Sequence, residues 1–219
     1  MSASPLPVTF VVDYLATGGA ERHAVTLANA LDRARFAVSF AQLKPGGPLV
    51  SLLDVGRLES HECAGVARKL DFHAVERLAR QMRDSGSRVV VAANPYATLY
   101  AMLAARRVTP RPMVVSTFHS TIMPGAKNQL QMLLYRVMYA LCDCLVYVCQ
   151  NQRDYWRRRA LRAGVETVIH NGIDAAHFSA DTVAGGDLAI RGRFGFGADD
   201  FVVGICAVLR PEKAHADLL

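Results

Sequence analysis

Between Val8 and Ile169 the chain alternates between short unbroken apolar runs and longer stretches of helical period. An unbroken apolar run of about five residues is how a strand buried on both faces reads, and such strands belong to parallel sheets covered by helices. Val8–Val12, Phe36–Leu43, Arg88–Ala92, Met113–Ser116, Leu145–Cys149 and Thr167–Ile169 fit that description. Between them, Ala20, Ala24, Leu27, Ala28 and Leu31 fall on one amphipathic stripe, as do Phe72, Val75, Leu78, Ala79 and Met82. Further helices are expected over Tyr96–Arg106, Ala126–Leu141 and Asn151–Ala163. Lys44-Pro45-Gly46-Gly47-Pro48 is a break. A short helix near Pro48–Val55 and a weak strand near His61 fill the least patterned stretch, Leu49 to Leu70. Strict alternation of this kind implies right-handed βαβ units, hence an α/β fold with a Rossmann-like doubly wound parallel sheet.

The pattern divides the chain into three parts. Residues 1–178 form one domain. Residues 179–200 turn small, polar and glycine-rich, as an interdomain linker does. Phe201–Cys206 then reads as the buried first strand of a second Rossmann-like domain, of which residues 201–219 supply one βα unit. A lone βα unit cannot bury its own faces, so the second domain is expected to run on past Leu219.

A hydrophobic fraction of 52% with 20% charged residues suits a packed core and excludes an extended disordered chain. The net charge of +6 favours anionic partners: phosphates, acidic lipid or nucleic acid. Five cysteines, an odd number without regular spacing, read as reduced thiols of a cytoplasmic protein. The N-terminus lacks a basic n-region and Asp13 ends its apolar run, so no signal peptide is expected. Asn94-Pro95 and Arg136 with Asp143 break the two longest apolar stretches, so no membrane span is expected either.

In open parallel sheets ligands bind beyond the carboxyl ends of the strands, where helix N-termini offer free N–H groups. Four segments lie at such ends. Thr17-Gly18-Gly19-Ala20-Glu21 either brings backbone close to a phosphate or is a plain tight turn. Thr117-Phe118-His119-Ser120 places His119 where a side chain points into a cleft, although most isolated histidines are structural. His170-Asn171-Gly172-Ile173-Asp174 can supply positive φ for a sharp turn, which alone would explain it. Leu209-Arg210-Pro211-Glu212-Lys213 offers two cations able to clamp a diphosphate, or two solvated basic residues. The first turn lacks G-x-G-x-x-G and the second strand ends without a ribose-binding acid, which argues against NAD.

In their order and spacing these four segments resemble those of the GT-B glycosyltransferases, and of glycosyltransferase family 4 in particular. The resemblance rests on Gly18-Gly19-Ala20-Glu21-Arg22 with Leu27-Ala28-Asn29-Ala30-Leu31, on the His119 loop, on Val168–Asp174 and on Leu209–Lys213. It implies two facing Rossmann-like domains, with the acceptor held by the N-terminal one and a nucleoside-diphosphate sugar by the C-terminal one. Gly18 and Gly19 would approach the donor phosphates, and Arg210 and Lys213 would neutralise the diphosphate leaving group in place of a metal ion. His119 would lie beside the transferred sugar. Glu21, Asn171 and Gly172 would line the cleft. Family members retain anomeric configuration. No metal or other cofactor is expected, and the acidic donor-site motif would lie beyond Leu219. The implied partners are the nucleotide sugar and a glycan or lipid-linked acceptor, with the protein cytoplasmic and peripheral to the inner face of the membrane. Residues 1–219 alone are expected to be inactive. A GT-B epimerase or phosphorylase, or a non-catalytic sugar- or partner-binding fragment, are the alternatives.

Other constellations fall short. His61-Glu62-Cys63 has no partner motif for zinc, and Cys142-Asp143-Cys144 has the wrong spacing for a redox pair. Neither a serine-hydrolase elbow nor a P-loop occurs. Arg153, Arg157, Arg158, Arg159 and Arg162 form a basic helix with Tyr155 and Trp156. It is either a surface for anionic lipid or a solvated outer face whose aromatics pack inward. No recognition fold for nucleic acid accompanies it.

Overall fold

The computed structural model describes residues 4–120, 125–173, 175–176, 186–197, 199–207, 209 and 213–218. The backbone divides into two compact units, Met1–Asn171 and Gly172–Leu219.

Unit 1 holds one seven-stranded, wholly parallel sheet. Its strands are β1 (Leu6–Val12), β2 (Phe36–Gln42), β3 (Ser60–Cys63), β4 (Val89–Ala93), β5 (Met113–Phe118), β6 (Cys144–Tyr147) and β7 (Val165–Val168). The helices between them are α1 (Gly19–Ala30), α2 (Phe72–Asp84), α3 (Asn94–Ala105), α4 (Ala126–Ala140) and α5 (Gln150–Arg157). The order across the sheet is β3-β2-β1-β4-β5-β6-β7, so the chain starts at the centre, winds to one edge and returns to wind to the other. The reversal lies between β1 and β4, which pair in register from Val8 with Val89 to Val11 with Ala92.

Side-chain alternation along the strands splits the core in two. Phe10, Val12, Val38 and Phe40 pack with Ala24, Val25 and Ala28 of α1 on one face. Val11, Ala41, Val90, Ala92, Val114 and Leu145 pack with α2, α3, α4 and α5 on the other. Helices thus cover both faces, which is why the strands read as unbroken apolar runs. Phe10 and Phe40 stack across β1 and β2 with ring centroids 6.1 Å apart, and both are essentially inaccessible. Asp71 starts α2 by accepting hydrogen bonds from the backbone N–H groups of His73 (3.0 Å) and Ala74 (3.1 Å).

Several expectations need correction. The short helix expected over Pro48–Val55 is two 3-10 turns, Pro48–Leu52 and Val55–Arg57, and the second lies mostly beyond the expected span. Phe72 begins α2 exposed rather than on its buried stripe. Helix α5 stops at Arg157, because Ala160 takes a left-handed conformation (φ 58°) and the Leu161 N–H turns back to the Trp156 carbonyl. The linker expected at 179–200 contains helix α6 (Gly186–Phe194), closed by Gly195 at φ 72° and tied by Arg191, whose guanidinium donates to the carbonyls of Gly197 and Asp200. Phe201–Cys206 forms no strand among the described residues, and Phe201 is 94% exposed. A strand needs a neighbour to pair its N–H and C=O groups, and none pairs with this run among the described residues.

Candidate functional site

Ligand crevices in doubly wound sheets open at the carboxyl ends of the strands where the winding reverses. Here that point lies beyond β1 and β4. Asp13 follows β1 directly, Lys44 stands two residues past β2, Asn94 opens α3 directly after β4, and His119 follows β5.

The β1–α1 loop is held from the side of β2. The Leu15 carbonyl accepts the Leu49 N–H at 3.0 Å, and Gly47 abuts the Leu15 backbone so closely that any side chain there would overlap it. Gly47 also sits at φ 114°, so glycine is required twice over. Gly18 (φ −82°, ψ 154°) then caps α1 with no side-chain hydrogen bond. A Cβ on Gly18 would run into the Glu21 carboxylate, whereas one on Gly19 would meet nothing within 4 Å. The two glycines therefore differ: Gly18 makes room for Glu21, and Gly19 leaves the first turn of α1 open. Burial raises the Glu21 carboxyl above its usual range; hydrogen bonds from its own backbone N–H and from the Asn94 side chain oppose the shift, and the Asp13 charge adds to it. Asn94 itself adopts φ 71°, a strained conformation for a non-glycine residue, with its side-chain Oδ1 buried and unpartnered.

His119 lies against His23 of α1, ring centroids 5.4 Å apart. Burial, reinforced by the neighbouring His23, pushes the His119 imidazole down to about 4, so it is neutral at pH 7. Its Nε2 is buried without a hydrogen-bond partner. The loop is fixed below it: Phe118 packs on Tyr139 and Trp156, and the Trp156 indole N–H donates to the Ser120 carbonyl at 2.9 Å.

Two hollows open beside these groups. One of about 520 Å³ is lined by Asp13, Tyr14, Ala16, Glu21, Lys44 and Pro45. The other, about 390 Å³, shares Asp13 and Lys44 and reaches Arg68, Tyr96, Gln131 and Tyr135. Asp13 and Lys44 pair at 3.0 Å, and the Lys44 ammonium stands 5.2 Å from the centre of the Tyr96 ring. Carboxylates, an ammonium, an amide and aromatics distributed over these two hollows suit a ligand rich in hydroxyl groups.

Of the residues singled out in the sequence, Gly18, Gly19, Glu21 and His119 all stand at strand carboxyl ends in unit 1. Asn171 and Gly172 follow β7 and are exposed, and neither has a positive φ, so the sharp glycine turn expected there does not form. Lys213 is exposed in unit 2, and Arg210 lies outside the described residues. Sequence reasoning missed Asp13, His23, Lys44, Asn94 and Tyr96. The signal for three of them was a polar residue placed within two positions of the end of an apolar strand. On α5 and just beyond its end the arginines are largely engaged: Arg157 pairs with Glu166 at 3.0 Å, Arg153 with Asp154 at 3.0 Å, and Arg159 stacks on Tyr155. Trp156 packs inward. Among the described residues no group of three or more His, Cys, Asp or Glu could hold a metal ion, and no helix is long and apolar enough to cross a membrane.

Comparison with known proteins agrees with this architecture. HepE from Anabaena, solved in complex with UDP, superposes with a TM-score of 0.75 at 18% identity, over 96% of this chain and 56% of that one. Sucrose-phosphate synthase from Thermosynechococcus elongatus gives 0.64 at 15% identity, over 89% of this chain and 54% of that one. MurG from Acinetobacter baumannii gives 0.53 at 18%, over 78% and 46%. These likenesses establish the GT-B fold, and the chain spans about half the length of the structures it resembles. No curated protein matches it in sequence. The model of Glycosyltransferase Family 4, however, matches residues 17–177, from the loop before α1 to beyond β7, and the chain belongs to that family.

Proposed function

We propose that this chain is the acceptor-side part of a retaining glycosyltransferase that moves a hexose from a nucleoside-diphosphate sugar to a glycan or lipid-linked acceptor. The observation that carries the reading is the convergence of the open α1 N-terminus, Glu21 and a neutral His119 on the crevice of a family 4 sheet. HepE, the structural relative described above, has been solved with UDP and with UDP-glucose, which supports a uridine donor.

In this reading the free N–H groups of Gly19 and Ala20 face the donor phosphates, with the helix dipole favouring their charge. A neutral His119 can accept a hydrogen bond from a hydroxyl of the transferred sugar, which an imidazolium cannot. Arg210 and Lys213 neutralise the diphosphate as it leaves, so that no metal is needed. Asn171 and Gly172 contribute contacts from the loop after β7. The hollows beside Asp13, Lys44 and Tyr96 receive the acceptor. Residues 1–219 alone do not transfer sugar.

The test uses the protein made from its complete reading frame. UDP-, GDP- and ADP-sugars are compared by thermal shift, with wild type beside an Arg210→Ala/Lys213→Ala double variant. Stabilisation by one donor that the double variant loses is the expected result. A His119→Ala variant should keep that shift while sugar transfer from the same donor falls by about 100-fold or more. A cooperatively folded protein that no nucleotide sugar stabilises would overturn the reading.

A further inference from the structure

Between β3 and α2 the chain forms a loop that is largely exposed and yet tightly held. The Arg77 guanidinium donates to the Ala64 carbonyl at 2.6 Å and to that of Gly65 at 3.1 Å. The Tyr96 hydroxyl donates to the Lys69 carbonyl at 3.0 Å, and the Tyr100 hydroxyl accepts the Asp71 N–H at 2.9 Å. Asp71 accepts the Ala67 N–H at 3.2 Å besides the two N–H groups that start α2. These bonds use backbone groups and the Asp71 carboxylate, and none engages the side chains of Arg68 and Lys69. Both residues are exposed, and among the described residues neither has a carboxylate within 4.0 Å. A loop that only joined two elements would not need such anchoring. Unpaired cations on a fixed loop are preorganised for an anion.

Arg68 and Lys69 line the hollow of about 390 Å³ beside Tyr96. Its lining sets Lys44, Arg68 and Lys69 against a single acid, Asp13. The adjoining hollow of about 520 Å³ reverses the balance, with Asp13 and Glu21 against Lys44. Asp13 and Lys44 belong to both and pair at 3.0 Å, so each largely cancels the other. What remains is Glu21 on one side of that pair and two cations on the other. The paired hollows are therefore polarised along their length.

We infer that the acceptor is an anionic sugar, whose ring carries a phosphate or a carboxylate, and that Arg68 and Lys69 bind that group. The guanidinium suits either anion, since both present paired oxygens to its fork of N–H donors. With the anion fixed there, the hydroxyl-bearing side of the ring turns towards Asp13 and Glu21. Their carboxylates accept hydrogen bonds from hydroxyls and repel a second anion, so the sugar enters in one direction only. A neutral sugar would gain nothing from either cation. The inference rests on the transferase reading and deepens it by naming the chemistry of the acceptor.

Isothermal titration tests it on the protein made from its complete reading frame. The probes are glucose, galactose and mannose, each as the neutral sugar, as its phosphate ester and as its uronate, with inorganic phosphate alongside. One anionic sugar should bind at least about 10-fold more tightly than its neutral counterpart and than inorganic phosphate, and its identity tells phosphate from carboxylate. An Arg68→Ala/Lys69→Ala variant alters two exposed side chains without partners, so its melting temperature should match wild type. Its affinity for that sugar should fall about 10-fold or more, while its thermal shift with a nucleotide sugar stays. Equal affinity for neutral and anionic sugars, no binding of any sugar, or an affinity that the double variant keeps would overturn the inference, even where a nucleotide sugar stabilises the protein. So would inorganic phosphate bound as tightly as the sugar phosphate, which would mean a bare anion site. Anionic-sugar binding that the double variant loses, in a protein that no nucleotide sugar stabilises, would uphold the site and overturn the transferase reading instead.

Discussion

Leu6–Val12 and Phe201–Cys206 are alike as sequences, each an apolar run of strand length rich in valine and phenylalanine. In the structure they have little in common. The first is paired on both sides, by β2 and β4, and its phenylalanine is covered by α1 and Phe40. The second has no ladder among the described residues, and its phenylalanine is bare. Composition makes a run able to be a strand, but neighbours make it one. The two units of this chain should therefore respond very differently to the same kind of change.

The largest contrast is expected in denaturant. Phe10→Ala removes a fully buried ring and should cost about 3–5 kcal/mol, whereas Phe201→Ala should stay within about 0.5 kcal/mol of wild type. Urea titrations followed by far-UV circular dichroism read both units, and the emission of the single tryptophan, Trp156, buried in unit 1, assigns a loss to that unit. Equal losses for the two variants would break the comparison.

A glycine pair sharpens it at the next level. Gly47→Ala meets both a left-handed φ and the Leu15 backbone, and should cost about 2–3 kcal/mol. Gly172→Ala, with open space and no left-handed φ, should move the same urea midpoint by less than about 1 kcal/mol.

A further contrast is one of pH. His119 in the folded chain is lowered from the ordinary 6.5 to about 4, and His23 and His61 are lowered as well, burial being the first cause in each. The unfolded chain therefore takes up protons that the folded chain resists. Stability of unit 1 should fall as pH drops from about 6.5 towards 4 and lose nothing further from these groups below that. His119→Gln should flatten the largest part of that slope in melts recorded across the range. An unchanged slope would mean that the imidazole is solvated and that its crevice is open to water.

The fold was legible because buried parallel strands announce themselves locally: Val8–Val12 and Phe36–Leu43 needed no partner in view to be recognised. The site was only half legible. Gly18, Glu21 and His119 stood out as residue types at strand ends. Asp13 and Asn94 did not, because their adjacency follows from β1 lying beside β4, and strand order is not a local property of sequence. His23 was hidden for the same reason, since only the sheet brings α1 to the end of β5. Phe201–Cys206 shows the opposite failure, a local signal without the neighbours to realise it.

The return of the chain to the centre of the sheet also sets a schedule. Asp13 and Asn94 flank one crevice, yet they stand 81 positions apart in the chain. At about 5–20 residues per second, several seconds pass on the ribosome between the two, with His119 later still. Throughout that interval β1 can pair only with β2, and its other edge, from Val8 to Val11, waits open for β4. The crevice thus cannot close until β4 and β5 have been made, and a nascent chain stalled before Val89 would leave that edge of β1 open to other strands.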